Sequence, residues 1–136
     1  MKKTLRFIAL AMVAVVLCIS LASCGGPNSD PDKALESLKE NGIVWAIKDT
    51  VGVPATLKAI GANGVTAVVT GTGKIDDKFA HITIIYFDSA ENATASFEAV
   101  EKYSADDKDD AKDNWVFKKS GKMIYYGTTE AVKAAK

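Results

Sequence analysis

The chain has little cysteine, little histidine and no excess of charge of either sign. Its two cysteines, Cys18 and Cys24, both lie in the first 24 residues, so the remainder has no disulfide, cysteine zinc site or cysteine nucleophile. His81 is the only histidine, which excludes an imidazole metal cluster. Lys and Arg number 17, as do Asp and Glu, and a chain without a basic excess is a poor candidate for binding nucleic acid.

Long hydrophobic runs are also scarce, because only Phe7–Leu21 is almost continuously apolar. Three cations, Lys2, Lys3 and Arg6, precede this run, and small residues follow it. A charged start, an apolar centre and small residues after it are typical of a secretory signal peptide. The run is short for a permanent transmembrane helix, which needs about 20 apolar residues. An uncleaved N-terminal anchor helix is the alternative interpretation.

The end of the apolar run carries the most specific motif in the chain, Leu21-Ala22-Ser23-Cys24. It resembles the lipobox of bacterial lipoproteins. The resemblance implies cleavage between Ser23 and Cys24 and a diacylglyceryl group on the sulfur of Cys24. Two acyl chains anchor a protein stably, because each buried CH₂ contributes about 0.8 kcal/mol. We therefore expect a lipid-anchored protein on the extracytoplasmic face of the cell membrane, with a mature net charge of −3.

The chain divides by composition into a removed signal peptide (1–23), a short Gly- and Pro-containing tether (24–29) and one domain (30–136). The patterns predict nine elements in the order α-β-α-β-β-α-β-β-α. Two strand pairs separated by helices predict an α+β fold, with a mostly antiparallel sheet of about five strands and helices packed on one face. The predicted helices are 30–42, 54–61, 88–103 and 128–136, and the predicted strands are 43–48, 64–71, 79–87, 115–119 and 122–127.

The helix over 88–103 has the clearest signals. Asp88 is placed to cap it, and Glu91 follows three residues later, as in a capping box. Apolar residues then recur at helical spacing and predict the face that packs on the sheet. The stretch 104–114 that follows is predicted to be an acidic loop. The predicted packing face consists of Ala90, Ala93, Phe97 and Val100.

The mature part also resembles small lipoproteins of unknown function from low-GC bacteria. The resemblance lies in "IIYF" (84–87), the acidic helix and "SGKMIYYG" (120–127). It carries no functional residue over to this chain.

No group of residues forms a catalytic motif, and we predict no catalytic residue, metal site or cofactor. Asp76 and Asp77, adjacent carboxylates near His81, are the candidates for an alternative function as a small carboxylate-dependent enzyme such as a hydrolase. The carboxylates of 106–114 invite a calcium interpretation, but an EF-hand register would put Ala111 and Lys112 where an oxygen ligand and glycine belong. A solvated loop is favoured there.

Two further sets of residues allow a binding interpretation beside a structural one. The aromatic set either lines a groove for a sugar or peptide or, as favoured, mostly fills the core. The lysine set either contacts anionic headgroups or envelope polymer or, as favoured, protects a sheet edge from aggregation. The predicted function is therefore a membrane-anchored binding or accessory module for an envelope protein or polymer, with its ligand-binding residues unidentified. The aromatic set is Trp45, Trp115, Phe117, Tyr125 and Tyr126, and the lysine set is Lys118, Lys119 and Lys122.

Overall fold

The structure, a computed structural model, describes residues 26–108 and 114–136. The nine elements follow the predicted order. Their bounds are α1 Pro31–Glu40, β1 Trp45–Asp49, α2 Gly52–Ala59, β2 Val65–Ile75, β3 Lys78–Phe87, α3 Ala90–Lys108, β4 Trp115–Ser120, β5 Met123–Thr128 and α4 Thr129–Ala134.

The five strands form one antiparallel sheet in the order β1-β2-β3-β5-β4. β2 and β3 form one hairpin, and β4 and β5 form the other. The long helix α3 carries the chain from the central strand β3 to the edge strand β4, and β5 then returns to pair with β3. The predicted α+β class with a five-stranded antiparallel sheet is confirmed.

Helices cover both faces of this sheet, which differs from the expected single helical layer. On the first face α1 and α4 pack over a core that includes Val69 and Ile84. On the second face α2 and α3 pack over a core that includes Val68 and Ile85. The cause lies in β3, where every residue of 82–87 is buried. Because alternate side chains point to opposite faces, such a continuous apolar strand needs cover on both sides.

The first hairpin has a tighter turn than the sequence predicted. A loop over 72–78 was expected, but β2 and β3 extend until only Asp76 and Asp77 lie between them. Both residues have positive φ, 52° and 62°. Positive φ at both central positions is the geometry of a type I′ turn, which matches the twist of the flanking strands. Aspartate tolerates this conformation better than most residues.

The third helix begins later and ends later than predicted. Ser89, not Asp88, caps it, because the Ser89 hydroxyl accepts the N–H of Asn92 at 3.1 Å. The Asp88 carboxylate instead accepts the side-chain amide of Asn92 at 2.7 Å. At its other end the helix continues to Lys108, five residues beyond the predicted end at Tyr103.

The packing face of α3 is confirmed only in part. Ala93 and Val100 are fully buried, whereas Ala90 is exposed and Phe97 is half-buried. The Phe97 ring packs edge-on against Phe117 of β4, with 4.9 Å between the ring centroids.

The segment before α1 packs against the domain. Gly26 and Pro27 are buried. The Asn28 N–H donates to the carbonyl of Ala135 at 2.7 Å, and the Tyr86 hydroxyl donates to the carbonyl of Asn28 at 2.7 Å. Burial, with a smaller contribution from the negative charge of Asp30, raises the pKa of Tyr86 well above its usual value. The last four residues of the expected tether therefore lie on the body of the domain.

Candidate binding surface

Part of the second sheet face has no helix over it. The helix α2 packs on β1 and β2, around the buried Leu57 and Val68, and α3 packs on β3, β4 and β5. Toward the opposite end of these strands, side chains of the second face reach solvent. We call the group formed by Trp45, Thr72, Phe79, His81 and Trp115 the aromatic surface.

The strand register explains why these residues are neighbours. Trp45 of β1 is opposite Thr72 of β2, and Thr72 is opposite His81 of β3. Trp115 of β4 is opposite Thr128 of β5, the residue whose hydroxyl accepts the N–H of His81. Directly opposed residues share a face, so one row crosses the whole sheet.

Three rings of the aromatic surface are nearly parallel. The Phe79 and His81 rings are inclined by 1°, with centroids 6.5 Å apart. The His81 and Trp115 rings are inclined by 5°, with centroids 6.4 Å apart. Phe79 is 46% exposed, and Trp45, at the edge of the sheet, is 79% exposed. Phe79 and Trp45 thus reach solvent, while His81 and Trp115 are half-buried beside them.

Threonine hydroxyls fix the imidazole within this row. The hydroxyl of Thr72 lies 3.1 Å from Nδ1 of His81, and the hydroxyl of Thr83 lies 3.4 Å from Nε2. Each hydroxyl can donate or accept, so the pair accommodates either imidazole tautomer. The surface therefore combines aromatic rings with the exposed hydroxyl of Thr72, a combination suited to a ligand that has both flat apolar faces and polar edges.

The predicted carboxylates do not join His81 in a cleft. Asp76 and Asp77 are exposed in the β2–β3 turn, and His81 lies four residues beyond Asp77, about 13 Å along β3. Asp76 lines an open cavity of about 350 Å³ together with Glu130 and Lys133, and His81 is not part of its lining. The carboxylate–imidazole pair that the hydrolase alternative needs is therefore not assembled.

The other candidate sites fall partly outside the described residues. Ser23 and Cys24 lie there, as do residues 109–113 of the acidic stretch that suggested calcium. Within 26–108 and 114–136, no group of three or more His, Cys, Asp or Glu side chains is placed to hold a metal ion.

The five residues of the aromatic set differ in burial and fall into three groups. Tyr125 and Tyr126 are buried core residues, as favoured. Phe117 is half-buried beneath α3, and Trp115 is half-buried where α3 borders the aromatic surface. Both line an open cavity of about 440 Å³ with Ser104 and other α3 residues. Trp45 is not in the core. The sequence did not distinguish Trp45 from the buried aromatic residues. Its exposure arises because β1 is an edge strand and because α2 covers the end of β1 that is distant from Trp45.

Edge strand β1 is unusually apolar on its surface. Within the described residues, seven large apolar side chains are exposed, and five of them lie between positions 44 and 60: two on β1, one just before it and two flanking α2. The opposite edge strand, β4, instead presents exposed Lys118 and Lys119, and Lys122 is exposed in the adjoining turn. Lysines on an edge strand discourage pairing with another chain, so the two edges differ in character. The five residues are Val44, Trp45, Ile47, Val51 and Ile60.

Comparison with protein-family models, curated proteins and solved structures finds no significant match to this chain. Within the described residues, none of the helices has both the length and the apolar character needed to span a bilayer.

Proposed function

We propose that this protein is a lipid-anchored lipoprotein of the extracytoplasmic membrane face, and that its domain is a binding or accessory module. The anchor part rests on Leu21-Ala22-Ser23-Cys24 directly behind the apolar run Phe7–Leu21. The binding part rests on the uncovered aromatic surface, which is the observation that carries the proposal.

The position of that surface relative to the anchor supports the proposal. Gly26 follows Cys24 by two residues, which span at most about 7 Å. The segment 26–29 packs beside Tyr86, toward the end of β3, whereas His81 lies five residues earlier on the same strand. That separation is roughly 17 Å along the strand. A lipid on Cys24 would thus hold one end of the sheet near the bilayer and leave the aromatic surface at the other end, facing outward.

The composition of the surface favours an envelope protein or polymer as the ligand. Exposed rings offer flat apolar contact area at a small cost in side-chain entropy, and the exposed hydroxyl of Thr72 offers a hydrogen bond. The surface is open rather than enclosed, which suits an extended partner better than a small molecule sequestered from water.

A ring deletion tests the binding function. Full-length chain in its native membranes is mixed with isolated cell-wall polymer and with solubilised envelope proteins of the producing bacterium. We expect Phe79→Ala to weaken retention roughly tenfold, since an aromatic contact at the centre of an interface contributes about 1–2 kcal/mol. The measurement is the bound fraction across a ligand titration.

The matched control is Tyr103→Ala. Tyr103 is an exposed aromatic residue of α3, 37% exposed against 46% for Phe79, and lies outside the aromatic surface. It should leave retention unchanged. Equal losses in the two variants, or no loss in either, would contradict a binding role for the aromatic surface.

A further inference from the structure

The outer edge of β1 lacks the protection that the outer edge of β4 has. Within the described residues β1 pairs with β2 on one side and with no strand on the other. Unpaired backbone groups along an edge are a template for strand addition, which proteins usually block with lysines, prolines or bulges. β4 carries such lysines, whereas the first three residues of β1 are the exposed Trp45 and Ile47 with the buried Ala46 between them.

The charge at this edge is also compensated within the chain. Lys48 forms an ion pair with Asp32 of α1. The carboxylate of Asp49 accepts the backbone N–H groups of Val51, Gly52 and Val53. Lys48 and Asp49 therefore each have a partner within the chain, and the other exposed side chains of β1, Trp45 and Ile47, are apolar.

We propose that β1 pairs antiparallel with β1 of a second copy of this chain, which joins the two sheets into one of ten strands. The contact is isologous, and because the other edge of each sheet is protected by lysines, assembly stops at the dimer. This inference goes beyond the proposed function and does not depend on a lipid at Cys24.

Charge and side-chain complementarity select one register. A two-fold axis perpendicular to the joined sheet places the same face of both copies on the same side. In an antiparallel pair this requires that one residue of β1 lies directly opposite the same residue of the second copy, and the register is named by that central residue. Centring on Lys48 places two like charges directly opposite, which is destabilising. Centring on Ile47 places Trp45 opposite the charged Asp49. Centring on Ala46 places Trp45 opposite Ile47 in both directions, an aromatic–β-branched pair of the favourable kind.

The size of the contact predicts a weak dimer. Val44, Trp45 and Ile47 are 65%, 79% and 63% exposed. Burying them from two copies together with the edge backbone removes on the order of 1,000 Å² from water, which is the low end for a specific interface. We therefore expect a dissociation constant on the order of tens of micromolar in solution. Confinement to a membrane surface would raise the effective concentration and favour the dimer.

Sedimentation of the full chain in mild detergent tests the proposal. The wild type should shift from monomer to dimer as its concentration rises through the micromolar range. Trp45→Lys should weaken dimerisation at least tenfold, and circular dichroism should show an intact fold because this side chain is exposed. Val51→Lys, at an equally exposed position outside β1, should dimerise as the wild type does. A monomer at every concentration, or a dimer that Trp45→Lys leaves intact, would overturn the proposal.

Cysteine cross-linking tests the register without removing Trp45 or Ile47. In the register centred on Ala46, position 44 of one copy is opposite position 48 of the other. A mixture of Val44→Cys and Lys48→Cys chains should therefore form a disulfide dimer on oxidation, while Lys48→Cys alone should not. The wild type measures any background from Cys18 and Cys24. Cross-linking of Lys48→Cys alone would refute this register. A monomeric chain overturns the dimer whatever Trp45→Lys does to envelope binding, because Trp45 also belongs to the aromatic surface.

Discussion

Gly127 is the residue that lets the two central strands approach where the aromatic surface is formed. It lies on β5 opposite Ile82 and has a φ of 150°. A Cβ at this position would lie 2.1 Å from the carbonyl oxygen of His81 and 2.7 Å from Cα of Ile82. Both atoms belong to the backbone of β3, so no side-chain rotation can relieve the contact. The sequence gives no indication of this, because a glycine near the end of a predicted strand is equally compatible with a bulge.

We expect Gly127→Ala to lower the free energy of unfolding by about 3 kcal/mol or more, because β3 and β5 must separate to admit the methyl group. Urea denaturation monitored by tryptophan fluorescence measures the change. Gly121→Ala is the control, since Gly121 has a φ of 58° and nothing within 4 Å of its added Cβ. That variant should lose only about 1 kcal/mol from backbone strain. Similar small losses in both variants would mean that β3 and β5 are not held this close.

At the scale of elements, local signals predicted each helix and strand but not how the helices are distributed. The first helix begins within the predicted range 30–42, where Asp30 caps it by accepting the N–H of Asp32 at 2.9 Å and Pro31 is its first residue. The choice of face for each helix depends on which strands become neighbours, and hydrophobic periodicity carries no such information. The aromatic surface was missed for the same reason. Trp45 and His81 are 36 residues apart in the chain, and only the β1–β2–β3 register puts them in one row.

The second helix, α2, depends on a carboxylate cap that the sequence analysis did not identify. Asp49 ends β1, and its side chain accepts the N–H groups of Val51, Gly52 and Val53 at 2.8–2.9 Å. The bonds from Val53, Val51 and Gly52, in that order of effect, lower the pKa of Asp49 below its usual 3.8. The cap joins the edge strand to the helix that covers the second face.

This lowered pKa predicts a pH dependence of stability. A carboxylate whose pKa is lower in the folded state stabilises the fold above its unfolded pKa, and the contribution disappears as pH falls through the folded pKa. The contribution of Asp49 to the free energy of unfolding is therefore present in full above pH 3.8 and is lost progressively as the pH falls below that value. Asp49→Asn should be less stable than the wild type at neutral pH, and the difference should shrink as acid is added. Urea midpoints across the acid range measure it, with Asp77→Asn at the exposed β2–β3 turn as control. A difference that does not change with pH would contradict the cap.

At the scale of the whole molecule, the segment 26–29 and the aromatic surface lie toward opposite ends of one sheet. Gly26 and Pro27 are buried against the domain, and the backbone of Asn28 bonds to Tyr86 and to Ala135. Because the segment from Gly26 is held against the domain, Gly25 is the one residue between it and Cys24. A lipid at Cys24 would therefore hold the domain close to the bilayer, because no long flexible linker separates the two.

The anchor itself gives the decisive prediction for this arrangement. Cys24→Ser should abolish lipid attachment and lipid-dependent cleavage, because serine offers no thiolate to take the diacylglyceryl group. The wild type should fractionate with membranes and into detergent, whereas the variant should lack the lipid and keep its leader. Cys18→Ser is the matched control, since Cys18 lies within the predicted signal peptide and should leave processing unchanged. Mass spectrometry of the native protein should find an N-terminal Cys24 peptide heavier by a diacylglyceryl group. An unmodified Cys24, or a chain still beginning at Met1, would refute the lipoprotein proposal, but it would leave the β1 dimer standing, because pairing of the edge strands needs no lipid.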